Sequence, residues 1–295
     1  MITVFTPTFN RAYALPKLYE SLCSQTSSQF EWVIVDDGST DNTKEIVLNW
    51  INERKIDIRY IYQPNAGKPV AHNRGVAEAK GDMFVCVDSD DYLVPDAIKC
   101  IMNCIKKIQS KKDLIGILAF RMHADKTPIT RISDNSVKAC TLSDAYKRHG
   151  LSGDTMLIFK TEVVKRFEFP VVAGEKFIPE GYLYNKIDKI GKLLILRKCL
   201  YVCEYLDDGY TKNVSKLIFN NYKSYVIHIN ARLKEIDKGF DKLFDSIRYD
   251  SVMIAHHEKR IIRKAVYPLL AIIGYIPGVL IAYRRYGNLM NSDKK

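Results

Sequence analysis

Apolar positions in the first half of the chain recur with two alternating periods. Short β-rich runs at residues 2–8 (ITVFTPT), 30–39 (FEWVIVDDGS), 56–63 (IDIRYIYQ) and 83–90 (MFVCVDSD) predict four strands. Between them, helical spacing predicts helices over 14–25, where Leu15, Leu18 and Leu22 share one side, and over 40–50 and 66–79. A fourth helix is expected over 95–107. Ser39 or Thr40 is the expected cap of the second helix, and Asp90 or Asp91 that of the fourth, whose first turn suits Pro95-Asp96. Strand and helix alternating at this interval imply an α/β protein with a doubly wound, mostly parallel sheet. Beyond residue 112 short strands (LIGILAF, TMLIFK, LLILRKCLYVCEYL) lie among loops, and from residue 211 onward the chain reads as helical. The expected organisation is one α/β domain over 1–210 and a helical, partly apolar extension over 211–295.

In such sheets ligands gather at the carboxyl ends of the strands. Thr6-Pro7-Thr8, Asp36-Asp37-Gly38-Ser39 and Asp88-Ser89-Asp90-Asp91 all fall at such ends, so one rim is expected to hold them. Two carboxylates spaced as Asp-x-Asp can turn toward one cation, and their hard oxygens suit Mg2+ or Mn2+ facing a diphosphate. Each segment also has a plainer account: a capped helix start, an Asp-Gly turn, a strand-to-helix loop. Asn65-Ala66-Gly67-Lys68 and Ala71-His72-Asn73-Arg74-Gly75 open the third helix. Glycine admits a ligand close to the backbone there, the helix N-terminus favours anions, and Lys68 or Arg74 adds charge. The alternative is an ordinary solvated helix face.

Taken together, TPTFNR, VDDGSTDNT, NAGKPVAHNRG and VDSDDYLVPD, in this order and spacing, resemble the family 2 glycosyltransferases of the GT-A fold. The resemblance is densest up to residue 110 and looser to residue 210. It implies that Thr6, Pro7 and Thr8 line a nucleotide-base pocket and that Asp37 contacts the base with Asp36 supporting it. Lys68 or Arg74 would lie near the nucleotide, Asp88 with Ser89 would reach the ribose or the metal, and Asp90 would bind a divalent ion on the diphosphate. The implied donor is a nucleotide sugar, a UDP-sugar foremost. The implied reaction is inverting: a carboxylate base deprotonates an acceptor hydroxyl, which attacks the sugar C1 as nucleoside diphosphate leaves. The family often carries Glu-Asp at the start of a later helix. In FIPEGYLYNKI (177–187) Glu180 matches the Glu, while Gly181 stands where the Asp would be. Glu180 is therefore the leading base candidate, with Asp154 and Glu175 as rivals. An acidic residue at a helix start also has a purely structural use, and Glu175-Lys176 also reads as a solvated pair. Tyr182 and Tyr184 suit an acceptor-sugar site or aromatic packing.

Charge adds a second feature. The chain has 45 basic and 34 acidic residues, a net +11, which fits an anionic partner. It lacks a basic-aromatic stripe and any nucleic-acid fold signature, and contains neither G-x-x-x-x-G-K-[ST] nor G-x-G-x-x-G, so nucleic acid is not the expected partner. Residues 251–295 hold eight Lys or Arg against two acidic residues. Within them, 265–283 (AVYPLLAIIGYIPGVLIAY) carries no charge and lies between Arg260, Arg263, Lys264 and Arg284, Arg285. As a helix rising ~1.5 Å per residue this segment would barely match a bilayer core. Its prolines, glycines and two basic flanks favour an interfacial or re-entrant element over a plain span. A membrane-associating segment is thus expected at 260–286, holding the enzyme on the anionic inner face of the cytoplasmic membrane near a glycan or lipid-linked acceptor. A core-covering hairpin is the alternative.

The seven cysteines and the absence of a leader at the start predict reduced, cytosolic thiols. The Cys100/Cys104 and Cys199/Cys203 pairs read as buried faces rather than zinc ligands. Two functions follow from these readings. One is an inverting glycosyltransferase of bacterial-type surface polysaccharide or glycolipid assembly. The other, kept open by Gly181, is a catalytically silent GT-A module acting as a membrane-attached scaffold or nucleotide-binding protein.

Overall fold

The predicted alternation is realised in the computed structural model as β1 (Ile2–Thr8), α1 (Leu15–Cys23), β2 (Phe30–Asp36), α2 (Thr43–Glu53), β3 (Ile58–Tyr62), α3 (Lys68–Glu78) and β4 (Met83–Cys86). The structure describes residues 1–204, 213–235 and 239–292. β1 lies between β2 and β4, β3 flanks β2, and all four are parallel. β1 and β2 are buried along their whole lengths, which is why they read as continuous apolar runs rather than alternating ones. Thr8 pairs with Asp36, and Phe5 with Cys86, so the carboxyl ends of β1, β2 and β4 reach one rim.

The chain continues through β5 (Tyr92–Leu93), α4 (Ala97–Ile108), β6 (Leu114–His123), β7 (Arg131–Ile132), β8 (Ala139–Cys140), α5 (Leu142–Arg148), β9 (Leu151–Ser152), β10 (Thr155–Lys160), α6 (Thr161–Val164), α7 (Gly181–Asp188) and β11 (Lys192–Cys203). These complete a nine-stranded sheet in the order β3-β2-β1-β4-β10-β6-β11-β5, with β8 also on β11, while β7 and β9 form a separate ribbon. β10 runs antiparallel between β4 and β6, and β5 and β8 run antiparallel to β11; the other strands share one direction. The sheet is thus mostly parallel. One face packs on α1 and α2, where Tyr19 stacks on Trp50 at 4.3 Å beside Trp32.

Two expected caps are corrected. α2 begins at Thr43, because Ser39 and Thr40 serve the loop instead: the Ser39 hydroxyl accepts Asn10 N–H, and Thr40 N–H donates to the Asn10 side chain. α4 begins at Ala97, since β5 intervenes, and no side chain caps it. Asp91 is engaged with β11 and Asp96 pairs with Lys198.

The chain divides into two compact units, Met1–Glu168 with Leu183–Leu206, and Phe169–Tyr182 with Asp207–Lys295. The second unit contains α8 (Val214–Asn220), α9 (Tyr222–Glu235), α10 (Gly239–Ala255), α11 (Ile261–Lys264) and α12 (Pro268–Ser292) around Ile229, Leu233, Tyr249, Val252 and Tyr286. It differs from the expected single break at residue 210 by including Phe169–Tyr182. That segment is tied in by hydrogen bonds: the Asn221 side chain accepts the N–H groups of Lys176 and Phe177, and Glu175 accepts those of Lys223 and Ser224. α12 packs along α10 through small residues, and a Cβ at Gly278 would come within 2.7 Å of the Asp250 Cβ.

Candidate functional site

The loops at the carboxyl ends of β1, β2 and β3 are locked together by two aspartates. Asp36 accepts Ser39 N–H and the Tyr60 hydroxyl. The Asp37 carboxylate accepts the Gln63 side-chain amide and Ala66 N–H on one oxygen and Gly67 N–H on the other, each at 2.8 Å. Gly38 makes this crossing possible: its φ is +85°, and a Cβ there would sit 2.7 Å from Asn65 N. Asp37 thus fixes the residues that lead into α3, which begins at Lys68 with no side-chain cap. Each carboxylate oxygen has two lone pairs, so one acceptor position on Asp37 Oδ2 remains. Thr6 is turned into the core, where its hydroxyl accepts the Trp32 indole N–H at 2.9 Å. Pro7 and Thr8 are buried beside it. Of the three residues expected to line a base pocket, Thr6 therefore has its side chain committed elsewhere.

The acidic loop after β4 is held from several sides. Lys68, at the start of α3, donates to Asp88 Oδ1 at 2.7 Å. Tyr201 on β11 is completely buried; its hydroxyl accepts Asp88 N–H at 3.0 Å and donates to Asp91 Oδ2 at 2.7 Å. Glu204 N–H donates to the other Asp91 oxygen. The Arg121 guanidinium of β6 lies 4.1 Å over the Tyr201 ring, and its Nη1 approaches Cys203 Sγ at 3.9 Å.

These neighbours separate the three carboxyls electrostatically. Burial opposes ionisation of Asp88, but Lys68 and Arg121 outweigh it and hold the group below the usual carboxylate range. Asp90 is raised, by burial first and then by the Asp88 charge, with Arg11 and Lys68 only partly opposing. Asp91 is pushed up to about 8, by burial and then Asp88. Ser89 is buried between them. Sequence reasoning missed Arg121 and Tyr201. The signal available was an arginine inside the apolar run LIGILAFRMH and a tyrosine inside LYVC.

A divalent ion fits this donor set. Among the described residues no group of three or more His, Cys, Asp or Glu is arranged to hold a metal by itself. Mg2+ and Mn2+ are content with one or two carboxylates, completing their shells with phosphate and water oxygens. The crowded, partly buried Asp88 and Asp90 are a pair that such a cation would relieve.

The remaining candidates are dispersed. Arg74 lies further along α3 in an ion pair with Glu78 at 3.0 Å, its side chain 55% exposed, so the structure does not bring it to the acidic loop. Glu175 is corrected from base candidate to helix cap: both its oxygens are taken by the first N–H groups of α9. Asp154 is exposed just before β10, the strand that runs antiparallel beside β4. Glu180 is exposed immediately before α7, in the segment that belongs to the helical unit. A Cβ at Gly181 would meet only His228, at an ordinary 3.4 Å. Tyr184 packs on Phe159 at 5.8 Å between centroids. None of the seven cysteines is in a disulfide, and Cys100 and Cys104 lie on α4 as expected for a helix face.

A parallel β3-β2-β1-β4 sheet with an acidic loop at the carboxyl end of β4 is the doubly wound arrangement expected of a GT-A glycosyltransferase fold. Residues 3–162 match the Glycosyl transferase family 2 profile, more than half of the chain, and the chain belongs to that family. Glycosyltransferase GlyA of Streptococcus pneumoniae is 27% identical over 215 residues, which is 68% of this chain but 30% of GlyA. Chondroitin synthase of Pasteurella multocida is 36% identical over 114 residues, 39% of this chain and 11% of the synthase. The chain thus spans a third or less of these curated relatives. Among solved structures, S. aureus TarS in complex with UDP-GlcNAc superposes with a TM-score of 0.63 at 17% identity, covering 97% of this chain and 91% of that one. The mannosyltransferase PcManGT of Pyrobaculum calidifontis, in complex with GDP-Man and Mn2+, gives 0.53 at 17% identity, over 98% and 83%. At these identities the likeness concerns the fold.

Proposed function

We propose that the protein is an inverting glycosyltransferase that takes a sugar from a nucleotide-diphosphate donor, a UDP-sugar foremost, and delivers it to a hydroxyl of a glycan or lipid-linked acceptor. The setting proposed is bacterial-type surface polysaccharide assembly at the inner face of the cytoplasmic membrane. The observation that carries this reading is the acidic loop: Asp88 paired with Lys68 at 2.7 Å, and Asp90 beside it raised by burial and by Asp88. TarS binds UDP-GlcNAc and PcManGT binds GDP-Man with Mn2+, which is the ligand chemistry these residues suit.

In this proposal Asp37 holds the loop around the base and keeps one acceptor position for a base N–H. Lys68 neutralises Asp88 while the donor is absent and moves its charge toward the diphosphate when the donor binds. Asp88 and Asp90 hold a divalent ion, Mg2+ or Mn2+, which supplies charge stabilisation to the departing diphosphate. Glu180 is the proposed base by its place in the family motif, taking the proton from the acceptor hydroxyl; Asp154 is the rival.

The test is a panel of nucleotide sugars with purified protein. UDP binding should require Mn2+ or Mg2+ and disappear in Asp90→Ala. Glu180→Gln should keep that binding and lose transfer. Full turnover in Glu180→Gln sinks the base assignment, and divalent-independent binding sinks the site. Nucleotide binding without turnover on any donor would favour the silent scaffold, the reading that Gly181 supports.

A further inference from the structure

The last helix has two unlike faces. α12 turns Ala271, Gly274, Gly278, Ala282, Tyr286 and Met290 inward, one residue per turn, and lays this stripe along α10. Its opposite face is apolar and uncovered: Leu269 is 72% exposed, Ile276 74%, Leu280 68% and Tyr283 64%, with Ile272 and Ile273 more than half exposed. Scattered exposed hydrophobics are ordinary on a protein surface, but a contiguous row over four helical turns is not. Arg263 and Lys264 stand exposed before this row, Arg284 and Arg285 after it, and the sequence from Lys259 to Ser292 contains no acidic residue.

Building on the membrane setting proposed above, we infer that this face lies flat on an anionic bilayer, with the apolar row in the headgroup–acyl boundary and the two basic ends on lipid phosphates. Length and composition alone would allow α12 to cross a membrane, Pro268–Asn291 being the candidate span. Packing argues for the flat placement. A crossing helix would carry α10 in with it, and α10 brings Asp241, Asp245, Arg248 and Asp250. An in-plane helix keeps α10 on the protein side and needs only its outer face wetted by lipid. Tyr275 and Tyr283, both partly exposed, suit an interface where one end of the ring is apolar and the other polar.

Charge selects lipid over a second copy of the chain. Lys264 is matched by Glu258, but two such faces packed about a twofold axis would bring Arg263, Arg284 and Arg285 together with no acidic residue on α12 to pair them. Anionic headgroups supply the missing charge along the whole row.

The experiment uses the full chain and sedimentation with vesicles of phosphatidylcholine, with and without phosphatidylglycerol. The natural protein should bind the anionic vesicles as a monomer. Ile276→Asp with Leu280→Asp, both at exposed positions that leave the fold intact, should abolish binding. Arg263→Gln with Arg284→Gln should weaken it about thirtyfold on anionic vesicles and leave weak binding to neutral ones unchanged. In Ile276→Trp, tryptophan emission should be quenched best by lipids brominated near the headgroup. Strongest quenching by lipids brominated near the chain ends would mean a crossing helix and overturn the inference. So would a dimer in free solution that Ile276→Asp with Leu280→Asp dissolves, or undiminished vesicle binding by that variant. UDP binding measured on the same samples separates the two proposals: vesicle binding without UDP binding sinks only the chemistry, and the converse sinks only the surface.

Discussion

Replacing Tyr201 by Phe isolates one hydroxyl that the structure places under the acidic loop. The ring is fully buried, and phenylalanine keeps both its packing and the Arg121 guanidinium stacked 4.1 Å above it. What is lost is the bond from Asp88 N–H at 3.0 Å and the bond to Asp91 Oδ2 at 2.7 Å. A hydrogen bond between neutral groups contributes ~0.5–1.5 kcal/mol, and a buried group left bare costs ~1–3. Glu204 N–H still serves the other Asp91 oxygen, which limits the damage. Together these give a loss of about 2–4 kcal/mol in urea-unfolding stability. The same two bonds fix where Asp88 and Asp91 start and end the loop. If about 1.4 kcal/mol of the loss falls on loop order, Mn2+-dependent UDP binding weakens about tenfold, measurable by calorimetry. Stability that falls while UDP affinity and its Mn2+ dependence stay unchanged would show that the hydroxyl serves packing alone and would refute the reasoning.

Asp250 is buried between α10 and the glycines of α12, and neither carboxylate oxygen has a hydrogen-bond partner among the described residues. Burial pushes it up to about 7 from 3.8, so the folded state binds a proton that the unfolded state releases, and stability falls as pH rises from about 4 to 7 and then levels, by about 4 kcal/mol in all. Asp250→Asn should remove that slope, making the variant gain on the natural protein between pH 4.5 and pH 8 in urea titrations; a difference independent of pH refutes it. Gly75 on α3 lies against the ring of Phe5, where an added Cβ would fall 2.2 Å from Cδ2. Gly75→Ala should cost at least about 1–3 kcal/mol in thermal or urea unfolding, because Phe5 is itself locked by stacking on Phe84, and an unchanged midpoint would show that the ring can move.

Much of the rim was legible because its residues sit at the ends of strands buried on both faces, which announce themselves as continuous apolar runs. The rim's internal wiring was not. Asp37 reads in sequence as a turn residue or a base contact, but its actual partners arrive from residues 63–67, whose approach depends on the β2–β3 register. Tyr201 stands 110 residues from the Asp91 it bonds, and only the placement of β11 beside β5 and β6 brings it there. Arg74 was the opposite case: Glu78 four residues on is a sequence-visible partner, and local helix geometry won over the motif's suggestion. Glu175 was misread for a related reason, since the helix whose N-terminus it caps begins nearly fifty residues later.

The crowding of aspartates in CVDSDDYLVPD is resolved residue by residue, and the resolution points to one of them. Asp88 has Lys68, Asp91 has the Tyr201 hydroxyl and Glu204 N–H, and Asp96 has Lys198. Each of these partners is supplied by the fold. Asp90 has its own backbone N–H and the weaker pull of Arg11 and Lys68, which do not offset its burial and the Asp88 charge, and its carboxyl is raised. Asp91 is raised by the same Asp88 charge but is held in the fold by Tyr201 and Glu204, so Asp90 is the carboxyl left for an added cation to relieve. Removing Asp90 should therefore abolish the divalent requirement for UDP binding together with the binding itself. Removing Asp96, whose charge is already matched by Lys198, should leave both intact.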